Sequence, residues 1–254
     1  MKIKFKKIFE LTWIDIKEVL NDSLGLIVNS LLLPITFVAV NAYVLPALGT
    51  SSAYVNFLII GLLILTTHNT QLGFANDLLF DIKSKAITLH NIPLPPEWFF
   101  MKHCVVYTLK SIIANFAILP LVILMVPSFD SSCLSISRTI LFFIIMNFFV
   151  ACTCALSAVV FKSNQKMWQI WPRWGQQLFN LSGLRASWLT MHNTLPGWSV
   201  LNLLNPYLYV FEGMRGAISP QGNYINFWVC CIVTIFSSIV CALIGMELFK
   251  RRIS

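Results

Sequence analysis

Charge is what this chain has least of. Only 11% of its 254 residues are Asp, Glu, Lys or Arg, and ten are acidic. Soluble domains carry roughly a quarter charged residues. At this length a soluble core could not hide the 57% of residues that are hydrophobic. That balance excludes a soluble globular protein and a disordered chain alike. There is no CxxC pair and no Cys/His spacing suited to zinc. Six of the cysteines, Cys104, Cys152, Cys154, Cys230, Cys231 and Cys241, lie in apolar runs and read as packing residues; Cys133 alone does not. No metal site, catalytic residue or bound cofactor is expected.

Energy sources are missing too. No GxxxxGK[ST] loop exists to cradle nucleotide phosphates. No Asp or Glu falls mid-way along an apolar run, where a proton- or sodium-coupled carrier would place one; Asp77 and Glu247 fall at the ends. For a hydrolase, Ser182-Gly183 and His192 are the nearest candidates, and no third partner accompanies them. No internal repeat, Ser/Gly linker or low-complexity stretch divides the chain, so residues 1–254 read as one domain.

What the chain does have is long apolar runs. A spanning helix needs about 20 mostly apolar residues. That ruler predicts an all-α membrane protein with six transmembrane helices, at about 24–45, 54–76, 98–126, 139–161, 167–182 and 225–249. The fifth is the weakest, diluted by Trp, Gln, Pro172 and Arg173. Ahead of the first, Phe5, Ile8, Phe9, Trp13, Ile16, Val19 and Leu20 recur at three- and four-residue steps. Lysines and glutamates fill the gaps. Residues 1–23 therefore read as an amphipathic helix lying in the membrane interface, not a cleaved signal.

The net charge of +8 is then an orientation signal. With the N-terminus inside, the lysines of residues 2–17, Lys83, Lys85, Lys102, Lys162, Lys166, Arg173, Lys250, Arg251 and Arg252 face the cytoplasm. Only Arg138, Arg185 and Arg215 face outward. This asymmetry sets both termini inside a cell membrane, the bacterial inner membrane being the expected one. Charge spread over four segments argues against nucleic acid as a partner.

Several groups stand out within this frame. In the third span His103, Tyr107, Lys110, Ser111 and Asn115 share one side, either as the wall of a polar path or as snorkelling and interhelical bonding groups. Ala151, Ala155 and Ala158 in the fourth span form a small-residue face for close packing. So do Thr234, Ser238, Cys241 and Gly245 in the sixth. Trp168, Trp171 and Trp174 in the fifth are an aromatic belt or the lining of a substrate path. The inner loop, 77–97, holds Asp81, Lys83, Lys85, Ile87, Thr88, Leu89 and His90 ahead of Pro93, Pro95 and Pro96. It is a connector or a docking element with Ile87 and Leu89 as apolar anchors. The outer segment, 183–224, has apolar pieces too short to span, which suggests re-entrant or interfacial helices. Asn205-Pro206 reads as a helix start, Asn as N-cap and Pro in the first turn. That helix would run to about Ala217 and end before Pro220. Glu212 and Arg215, at i and i+3, can pair on it, either to fix the segment or to gate it.

In order, these features resemble the membrane subunit of ABC-2-type exporters over the whole chain. Leu195-Pro196-Gly197-Trp198 and then Asn205-Pro206 through Glu212 to Arg215 is similar to that family's P-W … N-P-x-x-x-x-x-E-x-x-R signature. The inner loop resembles its charged coupling helix followed by x-P-x. Leu248 to Arg252 resembles its basic C-terminus. The Leu24-Gly25 of the polysaccharide-exporting branch is present, without the tryptophan that follows it there. The resemblance implies a permease with a second permease copy, a homodimer in the simplest case. It also implies cytoplasmic ATPase subunits that carry ATP and Mg and push on residues 81–91. An amphiphile such as a lipid-linked glycan is the expected cargo; an apolar drug or a lipid, or an ATPase-independent carrier, are the alternatives.

Overall fold

In the computed structural model, residues 2–84, 95–126, 134–161, 163–220 and 222–253 are described. Among them every regular element is helical. Helix α1, Lys2–Asn21, leads past a single residue, Asp22, into α2, Ser23–Ala39. Helix α2 runs on through a π-helical stretch, Val40–Val44, and a last turn, Leu45–Ala47. Then come α3, Ser52–Ser84, α4, Pro96–Asn115, and α5, Ile118–Met125. Helix α6 is Ile136–Phe161, and α7 is Asn164–Phe179 with a π-helical extension, Asn180–Leu184. Three short helices follow: α8, Trp188–Thr194, α9, Pro196–Asn202, and α10, Pro206–Ile218. Helix α11, Phe227–Ile253, closes the fold.

Among the described residues, four stretches are long and apolar enough to cross a membrane: Ser23–Ala47, Glu97–Met125, Ile136–Phe161 and Phe227–Arg252. The molecule is therefore an all-helical membrane protein with at least these four candidate spans. Two expected boundaries shift. Residues 77–84, placed by sequence in the inner loop, continue α3, whose 33 residues outrun a bilayer core of about 30 Å. The third expected span is broken at Phe116 and Ala117, where α4 yields to α5.

Helix α6 is the centre of the bundle and packs on α3, α4, α10 and α11. Its most extensive partner is α11. Both helices carry small residues at buried positions. Ala151, Ala155 and Ala158 are fully buried, as are Thr234, Ser238 and Gly245 on α11. The ring of Phe100 from α4 rests against Gly245, where a Cβ would collide with it. Buried polar side chains find partners across helices. Gln71 Nε2 on α3 donates to the Asn147 carbonyl on α6 at 2.9 Å, and the Thr153 and Tyr207 hydroxyls meet at 3.1 Å between α6 and α10.

One end of the molecule gathers the basic residues. Lys102 pairs with Asp15 at 2.7 Å, tying α1 to α4, and Lys250 pairs with Glu97 at 3.1 Å, tying the end of α11 to the start of α4. Arg252 donates to the carbonyls of Ala158 and Val159, both at 3.1 Å. It thereby satisfies carbonyls that the last turn of α6 leaves orphaned, with a cation at the negative end of the helix dipole.

Candidate functional site

The opposite end is organised by α10, and its local sequence explains how. Asn205 caps the helix: its Oδ1 accepts from the Tyr207 N–H at 3.2 Å, and Pro206 opens the first turn. From residue 207 almost every position of α10 is buried, including Glu212 and Arg215, neither of which has any exposed surface. An ion pair this deep survives only when hydrogen bonds satisfy the atoms that the partner does not.

Glu212 meets that requirement with both oxygens. Oε1 accepts from the Trp188 N–H at 3.1 Å and Oε2 from the Ile225 N–H at 3.3 Å. The first donor opens α8; the second lies just before α11. Arg215 Nη1 stands 3.8 Å from Glu212 Oε1. Arg215 meets the same requirement only in part: Nη2 donates to the Leu184 carbonyl at 3.3 Å, while Nε and Nη1 have no hydrogen-bond partner among the described residues. The guanidinium lies flat over the ring of Phe57, 3.5 Å from its centroid, a cation–π contact that replaces part of the lost hydration. Burial pushes the Glu212 carboxyl up from its ordinary value, against its two N–H donors and Arg215. Burial pushes Arg215 down, to about 10, against Glu212. That value leaves the arginine charged at neutral pH.

The site is completed by the π-helical extension of α7. A π turn and a helix end leave carbonyls without intrahelical donors. Three side chains supply them. Asn205 Nδ2 donates to the Leu178 carbonyl at 2.7 Å, Asn202 Nδ2 to that of Leu181 at 2.8 Å, and Arg215 to that of Leu184. Gly183 turns the chain with φ of +109°, a region that costs any residue with a Cβ. Gly61 on α3 lets the bulge approach: a Cβ there would stand 3.0 Å from Leu184 Cδ1 and 3.3 Å from its carbonyl oxygen.

Of the four residues that sequence reasoning singled out here, Asn205 and Pro206 open α10, and Glu212 and Arg215 pair on it about two turns further on. Sequence reasoning did not find Asn202, Phe57, Gly61 or Gly183. The Asn-x-x-Asn spacing of Asn202 and Asn205, just ahead of a proline, was the available signal for the first. The other three depend on contacts made across the bundle.

Of the substrate-path candidates, Tyr107, Lys110 and Trp171 have described side chains. Tyr107 is buried on α4 with its ring 5.5 Å from that of His103, and Lys110 is half-buried one turn on. Trp171 stacks on His68 of α3 at 5.2 Å. Phe179 and Tyr207 close around the same imidazole, at 5.0 and 5.7 Å. The side chains of Trp168 and Trp174 lie outside the described residues. So do Lys85, Ile87, Thr88, Leu89 and His90. Asp81 and Lys83 stand in the final turn of α3, with side chains likewise outside the description. Ser182 and His192 are each engaged separately. The Ser182 hydroxyl bonds back to the Phe179 carbonyl, and His192 Nδ1 meets the Ser199 hydroxyl at 3.0 Å.

Compared with known protein families, with curated proteins and with solved structures, the chain matches none.

Proposed function

We propose that the chain is the permease subunit of an ATP-driven exporter of the ABC-2 type, with six spans, re-entrant helices α8 to α10 on the outer side and both termini in the cytoplasm. Two copies would pair, and a separate cytoplasmic ATPase would bind residues 81–91 and supply ATP and Mg. The cargo is an amphiphile such as a lipid-linked glycan.

The observation that carries this reading is the polar stripe of α7. Gln165, Gln169, Arg173 and Gln176 recur at helical spacing, and all are exposed. The opposite face is held in the bundle by Met167, Gly175 and Phe179, all buried. We read this helix as following the bundle axis and not lying flat on a surface. Trp171 and Phe179 meet His68 at the middle of α3, and Leu184 meets Gly61 nearer its start. With its extension, residues 164–184 reach about 31 Å at 1.5 Å per residue, enough to cross a bilayer core. An arginine facing lipid at that depth costs about 2.5–3.5 kcal/mol. Such a stripe demands water or a second protein surface. Two copies with these stripes facing each other would enclose a polar path, and the absence of mid-span carboxylates from the sequence supports a partner as the driving force.

The test is purification of the tagged full chain from its native membrane, followed by mass spectrometry and ATP-hydrolysis assays. We expect a Walker-motif ATPase in equal amount, and we expect Ile87→Asp and Leu89→Asp each to depress hydrolysis and transport. An isolated chain, together with hydrolysis indifferent to both substitutions, would refute the proposal. Ion-driven flux in liposomes holding this chain alone would replace it with a carrier.

A further inference from the structure

A cavity of about 360 Å³ opens beside the buried pair, at the end of the molecule formed by the start of α3 and the segment between α7 and α11. Three stretches of chain wall it. Tyr54 and Phe57 come from α3, Arg185 and Thr190 from the exit of the bulge and α8, and Asn223 and Tyr224 from the link into α11.

Each wall is tied to the same ion pair. Arg215 stacks against Phe57 and fixes that ring. Its bond to the Leu184 carbonyl anchors the backbone one residue before Arg185. Glu212 holds the Trp188 N–H, two residues before Thr190, and the Ile225 N–H, one residue after Tyr224. Remove the pair and the walls lose their common anchor.

We propose that this cavity binds a single sugar ring carrying an acid group, and that Glu212 and Arg215 are the positioning residues that assemble it. The proposal deepens the export reading and rests on it only for the ligand's role as cargo. Four features of the cavity select this chemistry. Its volume is at the small end of the roughly 300–1,000 Å³ typical of ligand sites, room for a ring or two and not for a folded chain. Tyr54, Phe57 and Tyr224 offer flat apolar faces to the C–H faces of a sugar. The Tyr54 and Tyr224 hydroxyls and the Asn223 amide both donate and accept, as a polyol requires, and a purely apolar ligand would leave them without ligand partners, while the Thr190 hydroxyl already meets that of Ser187 at 2.9 Å. Arg185 brings one cation, and none of the described residues lining the cavity is acidic. Its planar fork suits a carboxylate or phosphate bidentately.

The experiment uses the full chain in phosphatidylcholine nanodiscs. Methyl glucuronide and methyl glucoside are titrated separately and followed by saturation-transfer NMR, and inorganic phosphate is titrated as a competitor against the methyl glucuronide signal. Glucuronide is expected to bind saturably and about tenfold more tightly than either glucoside or phosphate, the worth of one charge-assisted contact. Arg185→Gln, at an exposed position, should bring glucuronide down to the level of glucoside and leave glucoside unchanged. Tyr224→Ala should weaken both sugars. Phosphate binding as tightly as glucuronide would make this a plain anion seat and overturn the proposal. So would indifference to Arg185→Gln, or no saturable sugar binding up to about 10 mM. Neither ATP nor an ATPase is needed, so this result and the export reading stand or fall separately.

Discussion

Glu212 accepts two backbone N–H groups with two different oxygens, and this makes it hard to replace. A glutamine offers one acceptor; its amide NH2 would point at whichever N–H the oxygen does not take. It would also leave the Arg215 charge buried with no counter-charge. Breaking a buried pair by removing one partner costs about 3–5 kcal/mol. Glu212→Gln is therefore expected to lower the unfolding midpoint in detergent by an amount of that order, and a midpoint unchanged from wild type would contradict the assignment. Arg215→Lys keeps the charge. It loses the flat stack on Phe57 and the reach to the Leu184 carbonyl. A smaller loss, about 1–2 kcal/mol, should follow in the same assay. The sequence made the i, i+3 pairing of these residues legible. It could not show that the pair's other partners stand 24 and 13 residues away, because only the fold places the start of α8 and the approach to α11 over α10.

At the level of elements, the π-helical extension of α7 is the least ordinary piece of the fold. Its exposed carbonyls are met by side chains from α9, α10 and the turn between them. Gly183 holds φ at +109° and lies where a Cβ would stand 3.5 Å from Arg215 Nη1. Gly183→Ala is expected to cost about 1–3 kcal/mol through backbone strain alone, read as a lower midpoint in thermal unfolding. Gly213 is constrained differently. A Cβ there would run into the Phe142 ring and Cys230, so the α6–α10–α11 contact depends on its absence. At the basic end, Arg252→Ala should release the Ala158 and Val159 carbonyls and cost about 1–2 kcal/mol. Glu97→Gln, which breaks a partly exposed pair, should cost less than about 1 kcal/mol in the same assay. Helices with unbroken apolar runs or explicit caps were legible in advance: α6, α11 and α10 fall within a few residues of their expected bounds. The extension of α7, the break after α4 and the reach of α3 to Ser84 were not. Periodicity does not distinguish an α turn from a π turn, and a helix that outruns the bilayer keeps its backbone bonds after its apolar residues stop.

For the molecule as a whole, the decisive question is what faces the polar stripe of α7. The exposed side of α11 gives an internal comparison, because Ile232, Ile235, Phe236 and Ile239 form an apolar surface suited to lipid. A thiol on that surface meets hydrocarbon, where a hydrophilic maleimide does not partition and a thiolate does not form. A thiol on the α7 stripe meets water if the stripe lines a path, or its own copy if two stripes pack together. Five native cysteines, Cys104, Cys152, Cys154, Cys230 and Cys231, are buried; Cys133 and the half-buried Cys241 are first replaced by serine to remove background. Gln169→Cys and Gln176→Cys should therefore react with hydrophilic maleimide in intact membranes at least about tenfold faster than Ile235→Cys, or join into disulfide-linked dimers on mild oxidation. Either outcome places the stripe away from lipid, and the cross-linked dimer supports a paired permease. Protection of both cysteines to the level of Ile235→Cys, with no cross-linked dimer, would mean that the stripe is covered by something other than a water path or a second copy. The two-copy arrangement would then lose its physical basis.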